Sequence, residues 1–475
     1  MSGLLSTLQS SGNALRDFEK CIGVVQDNVV NASTPGYARQ QMALASLPYD
    51  PATGRMGGVR TTGLESARSE YAEQAVRREV QDLGYAATRS SALAGVESTF
   101  DVTGTSSLGS AISHLFSAFS SWSVSPQDAT QRQNVLTAAG QLASSFRQTA
   151  ADLSENGDRM IAQGRSQVDA INALSARIAA LNRSSLDSTQ GEAAGGADMH
   201  AALEELSELV NYTALTAADG TVSVLLGGQI PLVMGDKSYA LSLRTVASGG
   251  GTALPEARVV DAGGQNVSAL VTGGKLGGLL SAYNEDLGAI LGTATQRGSL
   301  NDLAYEMASR INEIFLSGQV DDPEPPATPT PGRALFLVNN DSSAAATLTL
   351  DATVGVDDLA AIDPLPVKVA NGIATRLAAL ADPTASADKI GGLSYTDFYG
   401  SIASQVGNRV NEAKSAENRQ TQLVSQARSM RSDISGVSLD EEAASLLQFQ
   451  RSYEATSRVV TVINELMDSL INLVQ

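Results

Sequence analysis

Three acids in a row follow a serine late in the chain, Ser438-Leu439-Asp440-Glu441-Glu442. Clustered carboxylates can hold a divalent cation or share a proton in acid–base work. A plainer chemistry accounts for them here. Ser438 and Glu441 have the spacing of a capping box. All three acids fall in the first turn of the helix that follows, where the helix dipole favours negative charge. Gly436 can close the preceding helix in a left-handed cap. The other reactive residues are scattered. Cys21 is the one cysteine, which excludes an internal disulfide and a multi-cysteine metal site. It sits beside Ile22 and reads as a small packing residue. His114 and His200 are the two histidines, and His114 lies in an apolar run that reads as packed. Gly273-Gly274-Lys275-Leu276 is a fragment of a phosphate loop, without the Ser or Thr after the lysine. Glu204, Glu205 and Glu208 read as a solvated helix face. Neither Gly-x-Ser-x-Gly nor His-Glu-x-x-His occurs. The residues thus predict no catalytic, cofactor-binding or metal site, no cofactor and no enzyme.

A second constellation stands near the other end, Asn28-Val29-Val30-Asn31-Ala32-Ser33-Thr34-Pro35-Gly36-Tyr37-Ala38-Arg39-Gln40. Thr34 to Tyr37 suits a type II turn, because proline fixes φ at its second position and glycine accepts φ > 0 at its third. Thr34, before proline, is pushed out of the helical region. A helix must therefore stop at or before Ser33. The turn is expected to reverse the chain and expose Tyr37 and Arg39 for contacts.

The elements that carry these motifs are legible from periodicity. Leu4, Leu8, Ser11, Leu15, Phe18, Ile22, Val25 and Val29 recur in steps of four and three. So do Leu446, Phe449, Tyr453, Thr456, Val460, Ile463, Met467, Leu470 and Val474. Both ends are predicted amphipathic helices with a coiled-coil seam. A lone helix cannot bury such a stripe, and each large apolar side chain left in water forgoes ~1.5–3 kcal/mol. The ends should therefore pair with each other or with neighbouring molecules. Between them, 70–100, 106–123, 128–185, 201–212, 276–292, 299–317 and 397–434 read as helices. Residues 221–272 read as a small β-rich module, in which Val222, Val224 and Leu226 alternate, as do Tyr239, Leu241 and Leu243. Asp321 to Gly332 holds five prolines and reads as an extended linker. Residues 333–390 are mixed, with strand candidates at Ala334–Val338 and Ala346–Leu350. The expected fold is mainly α with small β-rich insertions. It comprises a terminal coiled-coil domain (1–60 and 436–475), a helical bundle (61–212, 273–320 and 391–435), a β-rich outer module (213–272) and a mixed outer module after the linker (321–390).

Composition narrows the function classes. The chain has 475 residues, with 32 Lys+Arg against 51 Asp+Glu and a net charge of -19. That balance argues against nucleic acid and against an anionic membrane surface. No stretch is long and apolar enough to span a bilayer, and no basic region followed by an apolar one marks a signal peptide.

The first motif resembles the Asn-x-Ala-Asn-x-x-Thr-Pro-Gly-Tyr-x-Arg signature of the flagellar rod, hook and hook-associated axial proteins. Ser435 to Ala443, with Leu446-Leu447-Gln448-Phe449-Gln450-Arg451-Ser452-Tyr453-Glu454-Ala455, resembles the C-terminal signature of the hook-associated members of that family. Val30 stands where the family usually has Ala, and Ser438 where it usually has Asn; both keep the local role. The resemblance covers 1–60, 100–185 and 274–475, and is weak over 190–272 and 330–390. It implies a structural ring between the hook and the filament of the bacterial flagellum, with the terminal helices as an inner layer and the variable modules outside. It also implies export through the flagellar type III apparatus without a cleaved signal peptide, which a single cysteine suits. The implied partners are copies of the chain itself, hook protein below, a second hook-associated junction protein above, the export apparatus and a chaperone at the C-terminal helix. A hook or distal rod protein of the same family is the alternative, and a secreted enzyme using the same route a more distant one.

Overall fold

The computed structural model describes residues 2–48, 57–100, 107–187, 196–247, 254–293, 295–321 and 328–474. Helix α1 spans Ser2–Asn31 and stops short of Thr34-Pro35. The chain then forms an antiparallel hairpin of β1 (Gln40–Leu47) and β2 (Gly58–Ser66), in which Gln40 faces Ser66 and Leu47 faces Gly58. The hairpin lies on α1, where the buried Asp17 carboxylate accepts from Thr61 N (3.1 Å) and Thr61 Oγ1 (2.8 Å).

Helix α2 (Glu70–Glu97) starts at Ser69, whose hydroxyl accepts from Ala72 N; α3 (Leu108–Val124) is capped in the same way by Ser107. Helix α4 runs 59 residues, Ala129–Asp187, and α5 covers Gly196–Leu209. An antiparallel meander follows, β3 (Tyr212–Thr216), β4 (Val222–Leu226), β5 (Ile230–Met234) and β6 (Lys237–Ser238), then a hairpin of β7 (Ser242–Val246) and β8 (Glu256–Val260). Helix α6 (Gly274–Leu280) passes into a π-helical turn at Ser281–Leu287 and then α7 (Gly288–Leu291), with α8 at Ser299–Leu316. Beyond lie β9 (Phe336–Leu337), α9 (Ala344–Thr347), β10 (Thr349–Leu350), which pairs with β9, and α10 (Gly372–Ala379). Two long helices finish the chain, α11 (Tyr395–Ser435) and α12 (Leu439–Val474).

In space these elements form layers. Helix α12 returns to pack along α1, and α11 packs along α2. Helices α3, α5 and α6 pack around α2 and α4, and α10 packs on α3 and α8. One continuous apolar core runs from Leu93 to Ala413 and takes in the strand residues Val224 and Leu243 as well as Phe336 and Ile373. Aromatic rings fill its centre; Trp122 stacks on Phe315 with centroids 6.0 Å apart. Among the described residues no helix is long and apolar enough to cross a membrane.

Three asparagines, of which Asn182 is fully buried, clip the outer strands to this bundle. Asn182 on α4 gives its amide to Val222 O (2.8 Å) and Gly235 O (2.7 Å) and accepts from Val222 N (2.8 Å). Asn172, ten residues earlier on α4, grips Leu241 N and O in the same manner (2.8 and 2.9 Å). Asn284, on the π turn, grips Ala257 N and O (both 2.9 Å). Each carboxamide matches one residue's donor and acceptor, as a neighbouring strand would.

Three local expectations are corrected. Tyr239, Leu241 and Leu243 do not share a strand, because Asn172 takes the Leu241 backbone and separates β6 from β7. Ala346 and Thr347 are helical, since Thr347 N bonds to Ser343 O (2.9 Å) and Asn301 holds Ala345 N (2.8 Å), leaving Thr349–Leu350 to pair. The fifth helix begins at Gly196 and ends at Leu209, and Tyr212 already belongs to a strand. The ends of the proline-rich stretch lie together, with Val320 N bonded to Thr330 O (2.9 Å). Residues 322–327 lie outside the described residues.

Candidate assembly site at the paired chain ends

Heptad spacing brings one stripe of α1 against one stripe of α12. On α1, Val25 is buried, Leu4, Leu8, Leu15, Phe18 and Ile22 are half-buried, and Val29 is exposed. On α12, Ile463 is buried, Leu446, Phe449, Tyr453, Val460 and Met467 are half-buried, and Leu470 is exposed. The side chain of Val474 lies outside the described residues. Tyr453 OH donates to Glu19 Oε1 across the pair (3.3 Å). Cys21 is buried against this layer, where burial raises its thiol pKa, with Asp17 adding to the effect. A second apolar row on α12, Val459, Val462 and Leu466, stands about half exposed at 47%, 52% and 50%.

The two sequence motifs meet at one end of this pair. Asn28 is buried and all its hydrogen-bonding positions are used. Its amide donates to Gln40 O (2.8 Å) and Glu442 Oε2 (3.0 Å); its oxygen accepts from Tyr37 OH and Gln40 N (both 2.9 Å). Glu442, 1% exposed, also accepts from Arg39 Nε (2.7 Å), while Arg39 Nη1 reaches the exposed Glu441 (2.8 Å). Arg39 N bonds to Ser435 O (2.9 Å), and Ser69 N to Ser435 Oγ (3.2 Å). The result is a clasp in which a buried carboxylate is matched by a guanidinium and an amide. Burial raises the Tyr37 phenol pKa, with Asp27 and Glu442 adding to it, so the hydroxyl stays a donor.

The remaining motif residues shape the turn. Thr34 Oγ1 donates to Asn31 Oδ1 (3.1 Å), and Asn31 Nδ2 to Asp27 O (3.0 Å). Tyr37 N bonds to Thr34 O (3.2 Å), with Gly36 at φ 74°, which closes the type II turn around Pro35. Tyr37 and Arg39 are not the exposed contacts the turn alone suggested; both are half-buried and engaged within the chain.

Two further readings change. Gly436 has φ -74°, so it is extended and makes no left-handed cap. Its glycine is needed for space, since a Cβ would stand 2.4 Å from Ser432 O. The capping box is half formed: Ser438 Oγ accepts from Glu441 N at 3.5 Å, while the Glu441 side chain turns to Arg39. Asp440 lies in the first turn of α12 and is exposed. Among the described residues no group of three or more His, Cys, Asp or Glu is placed to hold a metal ion. Arg68, which donates to Gly36 O in the turn (2.6 Å), was absent from the sequence reading of this site and belongs to no periodic pattern that would reveal it; Ser435 stood in the second motif without a role.

About three quarters of this architecture is shared with a solved structure, and the sequence has relatives along its length. Residues 93–327 match the model of the flagellar hook-associated protein FlgK helical domain, and residues 429–473 that of the flagellar basal body rod FlgEFG protein C-terminal region. Flagellar hook-associated protein 1 of Bacillus subtilis is 24% identical, with 99% of each chain covered. The protein of the same name from Escherichia coli is 23% identical over the whole of both chains. The solved flagellar hook junction protein FlgK from Burkholderia pseudomallei superposes with a TM-score of 0.64 at 17% identity, covering 76% of this chain and 100% of that one. In sequence along its whole length, and in fold over three quarters of it, the chain is similar to flagellar hook-associated proteins.

Proposed function

We propose that this chain builds the junction ring between hook and filament, and that the α1–α12 pair is its assembly element. The supporting observation is apolar surface that one chain leaves uncovered. Most of the seam is only half-buried, and Val459, Val462 and Leu466 on α12 face outward. A contiguous exposed apolar row on a soluble chain marks an interaction surface. Neighbouring copies supply the cover in this reading, with hook protein on one face of the ring and a second hook-associated protein on the other. The same row on α12 gives a chaperone its grip before export by the flagellar type III route. A hook or rod reading fits less well, because the matched helical domain occupies 93–327.

The test is complementation of a strain lacking this chain with Val462→Asp/Leu466→Asp. The expected result is bare hooks and free filament subunit in the medium, with unchanged melting of the bundle. Filaments in normal number on those hooks would overturn the reading.

A further inference from the structure

In the terminal layer, helix α1 has three sides. Its heptad seam faces α12, and the hairpin takes a second side through Ser10, Asp17 and Asn28. The third side carries Leu5, Gly12, Arg16, Glu19, Gly23 and Val30, spaced three, four or seven apart. Leu5 and Val30 are exposed, and a Cβ on Gly12 or Gly23 would meet nothing within 4 Å. Glycine inside a helix costs stability relative to alanine, and no described residue of the chain uses the space these two leave open. Each residue of this side follows a seam residue by one position, whereas Val459, Val462 and Leu466 each precede one on α12. A step of one residue turns a helix by roughly 100°. The pair is antiparallel, since Asn28 meets Glu442 at one level and Glu19 meets Tyr453 at the next. A step forward on one helix and a step back on the other then point to opposite flanks. The layer thus has an apolar ridge on its α12 flank and a side with two open notches on its α1 flank.

We propose, building on the junction reading above, that the ridge of Val459, Val462 and Leu466 seats against the Gly12 side of α1 in the next copy of the chain. The contact is head-to-tail. A twofold contact needs one self-matching patch on both molecules, whereas unlike patches on opposite flanks pass the contact from copy to copy and can close as a ring. Copies set at one level keep the register of the chain's own pair. That register brings Leu5 opposite Leu466, Gly12 opposite Val459, Glu19 opposite Arg451 and Gly23 opposite Gln448. Glu19 and Arg451 are exposed and of opposite charge, and among the described residues neither has an ion pair in its own chain. The neighbour supplies that pair. The open backbone at Gly12 lets the Val459 side chain approach closely.

Cross-linking of the full chain tests it. Cys21→Ala gives a background without thiols, and Leu5→Cys and Leu466→Cys are placed in one chain. Oxidation of isolated hook–junction complexes should give a ladder of dimers, trimers and longer multimers, and neither cysteine alone should give any. Dimers from Leu466→Cys alone would mark a twofold contact and overturn the head-to-tail one. Gly12→Leu adds a side chain where the chain itself has nothing, so the monomer should melt as before. Its incorporation into flagella should fall at least about tenfold, because the notch is filled. Glu19→Arg or Arg451→Glu should lower incorporation through like charge, and the double exchange should restore it. Normal incorporation of Gly12→Leu, with Val462→Asp/Leu466→Asp still excluded, overturns this docking and leaves the junction reading standing. Normal incorporation of both overturns the two together.

Discussion

Arg39 and Glu442 are 403 residues apart along the chain, and Arg39 Nε lies 2.7 Å from Glu442 Oε1. The carboxylate is almost wholly shielded from water, so it is tolerable only because Arg39 and Asn28 reach it. One contact thereby ties the turn after α1 to the start of α12.

Removing one partner strands the other. Arg39→Met leaves an unmatched buried carboxylate and should cost ~3–5 kcal/mol of terminal-layer stability. Arg39→Met combined with Glu442→Met should restore most of it, since well-packed apolar pairs replace buried ion pairs at little cost. Glu441 is exposed, so Glu441→Ala should cost under ~1 kcal/mol. Amide hydrogen exchange over Val25–Val29 measures all three; equal protection in the single and double variants would refute the assignment.

Ile463 is the buried residue of the α12 seam, and Leu15 is half-buried on α1. Ile463→Asp or Leu15→Asp places a charge in that seam. Pairing of the terminal helices should be lost, along with incorporation into flagella, while the bundle melts as before. Glu465→Ala, on the exposed side, should change stability by less than about 0.5 kcal/mol.

Two glycines separate backbone strain from steric conflict. Gly36 and Gly220 both have positive φ, 74° and 81°, yet only Gly36 has backbone atoms where a Cβ would go. Gly220→Ala should cost ~1 kcal/mol, the left-handed penalty alone. Gly36→Ala should cost more, because the turn must also lift off α5. Chemical denaturation of the two variants gives the comparison, and equal losses would count against the close docking of the turn.

His200 makes the fold sensitive to mild acid. Burial, with Arg68, Arg77 and Arg431 beside it, pulls its pKa from 6.5 down to about 3. Below pH 6.5 the unfolded chain takes up a proton that the folded one refuses, so this contribution is full above that pH and falls away toward pH 3. The slope is at most ~1.4 kcal/mol per pH unit. Glu204 adds the same sign only below its own ordinary range of 4.5, since Arg431 and Arg428 outweigh the effect of its burial. Denaturant midpoints between pH 6.5 and 4.5 should fall less in His200→Gln than in the unsubstituted chain. Parallel curves would sink the idea.

Asn182→Ala removes the clip on Val222 and leaves that residue's amide and carbonyl buried without their partner. The expected loss is about 1–3 kcal/mol, confined to the meander of β3 to β6. Faster exchange at Val222 and Val224 with unchanged exchange in α2 is the diagnostic pattern.

How far the sequence announces all this depends on the range of each interaction. The seams were legible because Leu4 to Val29 and Leu446 to Val474 repeat locally, and heptad spacing needs no partner to be seen. The pairing of Arg39 with Glu442 leaves no such trace, so three acids explained by a helix dipole looked complete without it. Gly436 misled because glycine after a helix has two physical causes, left-handed backbone or close approach, and only coordinates separate them. Asn172 and Asn182 resemble neutral surface residues within a long helix. The available clue for Asn182 was its place four residues after Ile178, on the buried stripe.

The clasp also makes length itself something the fold inspects. The buried apolar clusters of the bundle end at Ala427, and α11 itself at Ser435. A product shortened after that point keeps its helical body, yet Asn28 and Arg39 find no acid to receive them. Such a stump stays open at that end, and only a polypeptide that reaches the first turn of α12 can shut it.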